Sequence, residues 1–347
     1  MKNKNLNNAR KAKCDEFYTL YEDIEKEVNV YYEHDINVFR NKTIYCNCDE
    51  PTKSNFIKYF IFNFNKFKLK TLIATCYSKN GNGKKLIINE VNEVPESLDT
   101  SLIDVINQIL KNKKNELTTL NGNGDFRSPE CIEILKQSDI IVTNPPYSLF
   151  RYFFKLLIEH NKKFLVLGNM NAITYKDVFY LIKNNIVWLG HSIRSGDREF
   201  LVPSEYPLNA AVYRVDKSGK KYIRVSRIRW FTNLQHGKQP KPLKLKSMNE
   251  NLKHNKKIQN NNNSYKKYDN YDAIEVPYTD AIPNDYDGIM GLPVSFLDKY
   301  NSYQFEILGT STFKEYYNGV MYGKPVFING KELYKRIFIK HKNPQKP

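Results

Sequence analysis

Short apolar runs of strand length alternate with stretches of helical period up to about residue 190, and this alternation restricts the fold more than any other feature of the chain. The pattern predicts helices over 15–32, 52–65, 101–113, 129–137, 149–160 and 175–183. Between them lie predicted strands over 43–48, 70–77, 85–91, 139–143, 163–168 and 186–189. In 101–113 the apolar side chains recur as Leu102, Val105, Ile106, Ile109 and Leu110, one face of a 3.6-residue period. Gly81-Asn82-Gly83 marks a hairpin turn. Strands that alternate with helices imply an α/β fold with a largely parallel sheet.

Beyond residue 190 the character changes. Strands are expected over 210–215 and 222–231, and in the second Arg224, Arg227 and Arg229 interleave with Ile223, Val225 and Ile228. Residues 238–246 are basic with two prolines, and 256–270, rich in Asn, Lys and Tyr, reads as a mobile loop or linker within 247–270. A short helix over 293–300, a strand over 304–308 and a hairpin tip at Asn329-Gly330 follow. The expected organisation is a disordered 1–13, an α/β domain over 14–190 and a basic region over 191–347.

Lys and Arg total 54 against 37 Asp and Glu, a formal charge of +17. This suits a polyanionic partner, although a Lys- and Asn-biased composition would give the same excess. The aromatic stretch 56–67 is interrupted by Lys58, Asn63, Asn65 and Lys66 and cannot span a bilayer. The five cysteines are scattered and no apolar leader precedes the domain, so a reducing cytoplasm is expected. Cys46-x-Cys48 lacks the partners of a zinc site, and no metal is expected. The six His are dispersed, and neither a Gly-x-Gly-x-x-Gly turn nor a P-loop is present.

The strand over 139–143 runs into Asn144-Pro145-Pro146-Tyr147. A polar-Pro-Pro-aromatic turn at a strand end suits methyl transfer to an amino nitrogen whose lone pair is delocalised into a ring or carbonyl. The Asn carbonyl and the carbonyl after it can both accept from the NH2. Proline offers no competing N–H and stiffens the turn. The Tyr ring can stack on a flat base. A bland strand-ending turn with a packed Tyr is the alternative; the strand before and the helix after favour the chemical reading. Ligands in open α/β sheets bind beyond the C-terminal strand ends. The other ends are the 45–51 turn, with a helix beginning near Ser54, then Cys76-Tyr77, better suited to packing, and Gly122-Asn123-Gly124-Asp125-Phe126.

The chain resembles the EcoRI-type adenine-specific DNA methyltransferase family over about residues 13–340. The resemblance is carried by Asp15-Glu16-Phe17-Tyr18-Thr19, by 45–51 with Ser54-Asn55-Phe56, by 72–77, by Asn144-Pro145-Pro146-Tyr147, and by 229–234, 286–293 and 304–309. It implies a Rossmann-like S-adenosylmethionine-dependent methyltransferase sheet in 14–190 and a C-terminal DNA target-recognition region in 191–347. The cofactor would meet Phe17, Tyr18, Thr19, Asn47, Asp49, Pro51, Asp125, Phe126 and Asn144. No glycine stands in the 46–51 turn, a departure from the usual cofactor loop. Asn144, Pro145, Pro146 and Tyr147 would form the catalytic turn, acting on an adenine flipped from double-stranded DNA. The basic, aromatic strands make Arg194, Arg198, Arg224, Arg227 and Arg229 the expected DNA contacts. A monomer is expected, together with a cognate restriction endonuclease. Alternatives are an RNA adenine or protein glutamine methyltransferase, or a non-catalytic DNA-binding protein on the same scaffold.

Overall fold

The computed structural model describes residues 17–345, except 80, 95–96, 194–196, 205, 207–211 and 239. The expectations for residues 1–13 and for Arg194 lie outside the described residues. The chain packs as two compact units, Met1–Val178 with Val187–Gly237 and Phe179–Ile186 with Lys238–Pro347.

The first unit is built on a mixed eight-stranded sheet. Its strands are β2 (Thr43–Cys46), β3 (Thr71–Cys76), β4 (Lys84–Ile88), β5 (Glu116–Thr119), β6 (Ile140–Thr143), β7 (Lys163–Asn169), β8 (Trp188–Leu189) and β12 (Ile228–Thr232). They lie in the order β5-β4-β3-β2-β6-β7-β12-β8. The central strands β3, β2, β6 and β7 pair in parallel. The flanking strands β4 and β12 run antiparallel to them. The chain leaves β2 toward β3 on one side and reaches β6 and β7 on the other. The crevice beyond the C-terminal ends of β2 and β6 is therefore the switch point where such sheets take ligands.

Alternate strand residues serve opposite faces. Ile44, Cys46, Leu72, Ala74, Val142, Leu165 and Trp230 belong to one core with helices α1 (Tyr21–His34), α2 (Asn55–Phe62) and α4 (Leu102–Ile109). A one-turn helix, α3 (Phe64–Phe67), follows α2. The opposite face is covered by α6 (Phe150–Glu159), whose Phe150 and Phe154 meet Phe231 and Phe164 at 5.3 Å between ring centroids. Helix α5 (Pro129–Gln137) starts with Pro129 in its first turn and Ser128 accepting from the Cys131 N–H. The last helix before β8 is α7 (Lys176–Lys183). Strand β5 carried no apolar alternation because most of it is exposed.

A second sheet of this unit runs β1 (Tyr18–Thr19), β9 (Asp197–Val202), β11 (Lys221–Ser226) and β10 (Tyr213–Val215), antiparallel throughout. The single strand expected over 222–231 is two strands in different sheets. Arg227, at φ +61°, takes a left-handed conformation between β11 and β12 and turns the chain from one sheet into the other. The unit expected to end near residue 190 therefore continues to Gly237, because β12 fills a gap in the large sheet.

The second unit carries the sheet β13 (Ile274–Glu275), β14 (Met290–Pro293), β20 (Arg336–His341) and β15 (Phe305–Thr310), in that order. Two hairpins accompany it, β16 (Glu315–Tyr317) with β17 (Val320–Tyr322) and β18 (Val326–Ile328) with β19 (Lys331–Leu333). Asn329 and Gly330 form the tip of the latter, both at positive φ. The Arg336 guanidinium bonds Glu275 at 2.8 and 2.9 Å in the buried interior. The expected mobile stretch instead carries α8 (Met248–His254) and α9 (Lys256–Gln259). A capping box between Ser247 and Glu250 starts α8, and Ile258 and Tyr268 are buried. Lys residues and most Asn residues take the solvent side, while Asn251 is buried. Among the described residues no helix is long and apolar enough to cross a membrane.

Candidate active site

A cavity of about 610 Å³ opens at the switch point, between the turn after β2, the end of β3, the 123–127 loop and the turn after β6. That volume suits a ligand of nucleoside size or somewhat larger. Its walls include Phe17, Tyr18, Asn47, Asp49, Asp125, Phe126, Asn144 and Pro146. The cavity thus brings together eight of the twelve residues expected to serve cofactor binding and catalysis.

Asp49 ties the wall together. Its carboxylate accepts from Ser54 Oγ at 2.7 Å and from Thr143 Oγ1 at 2.5 Å. Ser54 in turn caps α2 by accepting from the Phe56 N–H at 3.1 Å. The residue preceding Asn144 is therefore bonded to the same carboxylate as the helix cap. Burial raises the Asp49 pKa to about 6, against the opposing hydroxyl bonds. Asn47 is buried, and its Nδ2 makes no hydrogen bond.

Asn144 follows the last residue of β6. Its Nδ2 donates to the Phe17 carbonyl at 2.8 Å, while its buried Oδ1 has no hydrogen-bond partner. A carbonyl cannot donate, so this contact fixes which amide atom is which. The Tyr147 ring packs on Phe17 at 5.7 Å, and its hydroxyl is buried without a hydrogen bond. Burial raises the Tyr147 phenol well above its ordinary value, with the Asn144 amide opposing. Neither Tyr147 nor the buried Pro145 is among the cavity walls.

On the opposite wall Arg127 grips Asp125 through Nε at 2.9 Å and Nη2 at 2.5 Å, holding that carboxyl below its usual range. Phe126 is buried edge-on against Phe153 at 5.1 Å. The loop reaches this position through glycine. A Cβ on Gly124, at φ +76°, would stand 2.1 Å from the Cys76 carbonyl oxygen, and one on Gly83 would stand 2.6 Å from the same atom.

Sequence reasoning missed Lys53 and Arg127 as walls, whereas Glu50, Asn123 and Cys76-Tyr77 lie at strand ends it had named without assigning them a contact. Cys76-Tyr77 was visible as a strand end, which was the available signal. Burial would raise Glu50, but bonds from Cys76, Lys84 and Thr52 outweigh it and leave the carboxyl below its ordinary value. Burial and Glu50 push the Cys76 thiol up to about 12, and burial first, then Asp49, pushes Cys48 well up. These thiols are held protonated and do not suit nucleophilic chemistry. Two expected contacts stand behind the wall. Thr19 lies in β1, its carbonyl accepting from Asn55 Nδ2 at 2.8 Å, and Pro51 is buried in the turn.

The arginines separate. Arg224 and Arg227 are exposed. Arg198 is partly buried, 3.9 Å from Asp23. Arg229 is only 5% exposed, and its Nη1 bonds the Ile228 carbonyl at 3.0 Å. Burial within β12 does not suit Arg229 to a direct phosphate or base contact.

Comparison with known proteins gives a consistent result. A family model described as adenine-specific methyltransferase EcoRI matches residues 5–342. Type II methyltransferase M.EcoRI of Escherichia coli is 42% identical over 364 residues, covering 99% of this chain and 98% of that protein. Type II methyltransferase M.MgeORF184P of Mycoplasma genitalium is 38% identical, covering 96% of this chain and 98% of its own length. Type II methyltransferase M.MpnI of Mycoplasma pneumoniae is also 38% identical, covering 97% and 98% respectively.

Proposed function

Since the chain belongs to the EcoRI-type adenine-specific methyltransferase family, we propose that its switch-point cavity holds S-adenosylmethionine and that Asn144 receives the N6 amine of a flipped adenine. The enzyme is a DNA adenine methyltransferase of restriction-modification type. The observation that carries the site assignment is the buried Asn144 Oδ1, an acceptor with no protein donor on a residue that lines the strand-end cavity. A buried, unpaired acceptor costs free energy unless a ligand completes it.

The residues present fit the cofactor. When bound, it would supply an electrophilic methyl on a sulfonium centre. The ionised carboxylates of Glu50 and Asp125 suit the positive charge and hydroxyl donors of such a ligand, and the unpaired Asn47 Nδ2 suits an acceptor on it. Phe17 and Phe126 offer apolar walls. Asp49 is buried, unlike Glu50 and Asp125, and holds the turn through its bonds to Ser54 and Thr143.

At the target, Asn144 Oδ1 and the Pro145 carbonyl would accept the two N6 hydrogens, drawing the lone pair out of the ring and toward the methyl. Tyr147 would support the base face. The surplus proton on N6 passes to water after transfer. Alignment supplies much of the rate, and no metal or covalent enzyme intermediate enters. Duplex DNA would be read in part by the exposed Arg224 and Arg227. The remaining unit, from Lys238 onward, is proposed to contribute to target recognition.

Incubation with tritiated S-adenosylmethionine and DNA, RNA or protein tests the assignment. Label in adenine N6 of duplex DNA is expected. Label confined to RNA or protein would refute it.

A further inference from the structure

The segment bearing Phe17 touches both the catalytic turn and the arginine-bearing sheet. The Phe17 carbonyl takes the Asn144 Nδ2 hydrogen at 2.8 Å. Its ring lies 5.7 Å from Tyr147, 5.9 Å from Phe200 and 6.2 Å from Tyr206. The next two residues form β1, where Tyr18 pairs with Leu201 and Thr19 with Phe200 of β9. Strand β9 pairs in turn with β11, Val225 facing Arg198 and Arg224 facing Glu199. A short backbone path thus runs from the arginine-bearing strands to the amide that must meet the amine.

The chemistry of the contact is asymmetric. An asparagine side chain can present either its oxygen or its nitrogen to a cavity, and only the oxygen can accept from an amine. One contact of Asn144 selects between them: Oδ1 is unpaired, and Nδ2 has the Phe17 carbonyl. Resting on the functional reading above, we propose that Phe17 is a positioning residue for methyl transfer: its backbone carbonyl locks the Asn144 amide with Oδ1 free to accept, and β1 ties that lock to the β9–β11 sheet. The catalytic motif is then complete only when the N-terminal segment is seated on β9. A carboxylate at position 144 would be a stronger acceptor for the amine, yet it would set one of its oxygens against the Phe17 carbonyl. Only its protonated form reproduces the amide, with one donor for Phe17 and one acceptor for N6.

The test is Asn144→Asp, compared with the wild-type enzyme between pH 5.5 and 8.5 in single turnover on duplex DNA with saturating S-adenosylmethionine. At high pH the variant should be slower by about tenfold or more. On acidification its rate relative to wild type should rise, by about tenfold per pH unit while the introduced carboxyl is mostly ionised. A variant rate that tracks the wild-type profile at constant ratio overturns the proposal. Thermal unfolding gives a readout independent of turnover. The midpoint deficit of Asn144→Asp should shrink as pH falls, and a deficit independent of pH overturns the lock. Should the variant not fold, replacing Tyr18 by its α-hydroxy acid converts the Phe17 carbonyl to a weaker ester acceptor. A transfer rate reduced by about threefold or more at unchanged cofactor affinity is then expected, and an unchanged rate overturns the proposal. A wild-type chain that transfers no methyl to DNA adenine would overturn the functional reading and this inference with it. An active wild type with a flat Asn144→Asp ratio would overturn the inference alone.

Discussion

Asn144, Tyr147 and Asp49 carry different burdens, and each yields a separate test. Asn144→Ala should leave the fold intact and reduce methyl transfer by at least about a hundredfold, since the unpaired Oδ1 is the proposed amine acceptor; single-turnover rates on duplex DNA check it. Tyr147→Phe keeps the ring on Phe17 and removes a buried hydroxyl that makes no hydrogen bond. It should retain most activity and match or exceed wild-type stability by up to about 1 kcal/mol, whereas Tyr147→Ala should lose both. Comparable damage in the two variants would assign a role to the hydroxyl. Asp49 has a pH signature. Its folded pKa is raised by burial to about 6 from an ordinary 3.8. Between those values the folded chain keeps a proton that the unfolded chain has released. The stability it contributes is therefore present below pH 4 and lost as pH rises through about 6, a change of about 3 kcal/mol. Asp49→Asn should flatten that part of the stability profile, seen as a wild-type-minus-variant difference in unfolding free energy that depends on pH only in this window. The Asn-Pro-Pro-Tyr turn was legible because a strand precedes it and a helix follows. The Phe17 contact was not, because it runs from side chain to backbone across 127 positions.

At the scale of elements, pattern was legible where burial was two-sided or periodic. The strands that became β2, β3, β6 and β7 are almost wholly buried and read as apolar runs. Helix α1 begins at Tyr21 rather than near residue 15, since Tyr18 and Thr19 are drawn into pairing with β9, a tertiary demand that local sequence does not display. The break between β11 and β12 shows in the sequence only as a slip of phase, two polar residues (Ser226 and Arg227) between Val225 and Ile228, and the left-handed Arg227 is where the two sheets part. Arg227→Gly should accordingly preserve stability or raise it by up to about 1 kcal/mol, because glycine meets no steric cost at φ +61°. The same variant should weaken DNA binding if the side chain meets phosphate, so melting and DNA titration together separate backbone from charge. The 123–127 loop behaves in the opposite way. Gly124→Ala combines a left-handed backbone with a Cβ 2.1 Å from the Cys76 oxygen. It should cost about 2 kcal/mol or more and loosen cofactor binding, while Gly219→Ala, at φ +80° with nothing within 4 Å, should cost about 1 kcal/mol. Equal costs would place the strain in φ alone.

For the whole molecule, the sequence conveyed an α/β sheet with its ligand edge and a basic remainder, but it placed the end of the catalytic unit too early. The large sheet takes β12 from residues 228–232, after the excursion through β9–β11. Of the strands expected to read DNA, β12 thus lies in the sheet that forms the cavity, and β11 leads into it from the neighbouring sheet. The formal charge of +17 is consistent with phosphate contacts. Replacing Arg224 and Arg227 with Gln should lower duplex affinity and flatten its dependence on log salt by about one per lost phosphate contact. An unchanged salt slope would move the DNA surface elsewhere. The central claim is that this enzyme methylates adenine in DNA and that Asn144 receives the amine. It is tested most directly by sequencing the DNA of a methylation-deficient host expressing wild type or Asn144→Ala and mapping N6-methyladenine. The account predicts methylation of one short sequence at nearly all its copies with wild type and near-background levels with a folded Asn144→Ala variant. Full methylation by that variant, or none by the wild type, would contradict it.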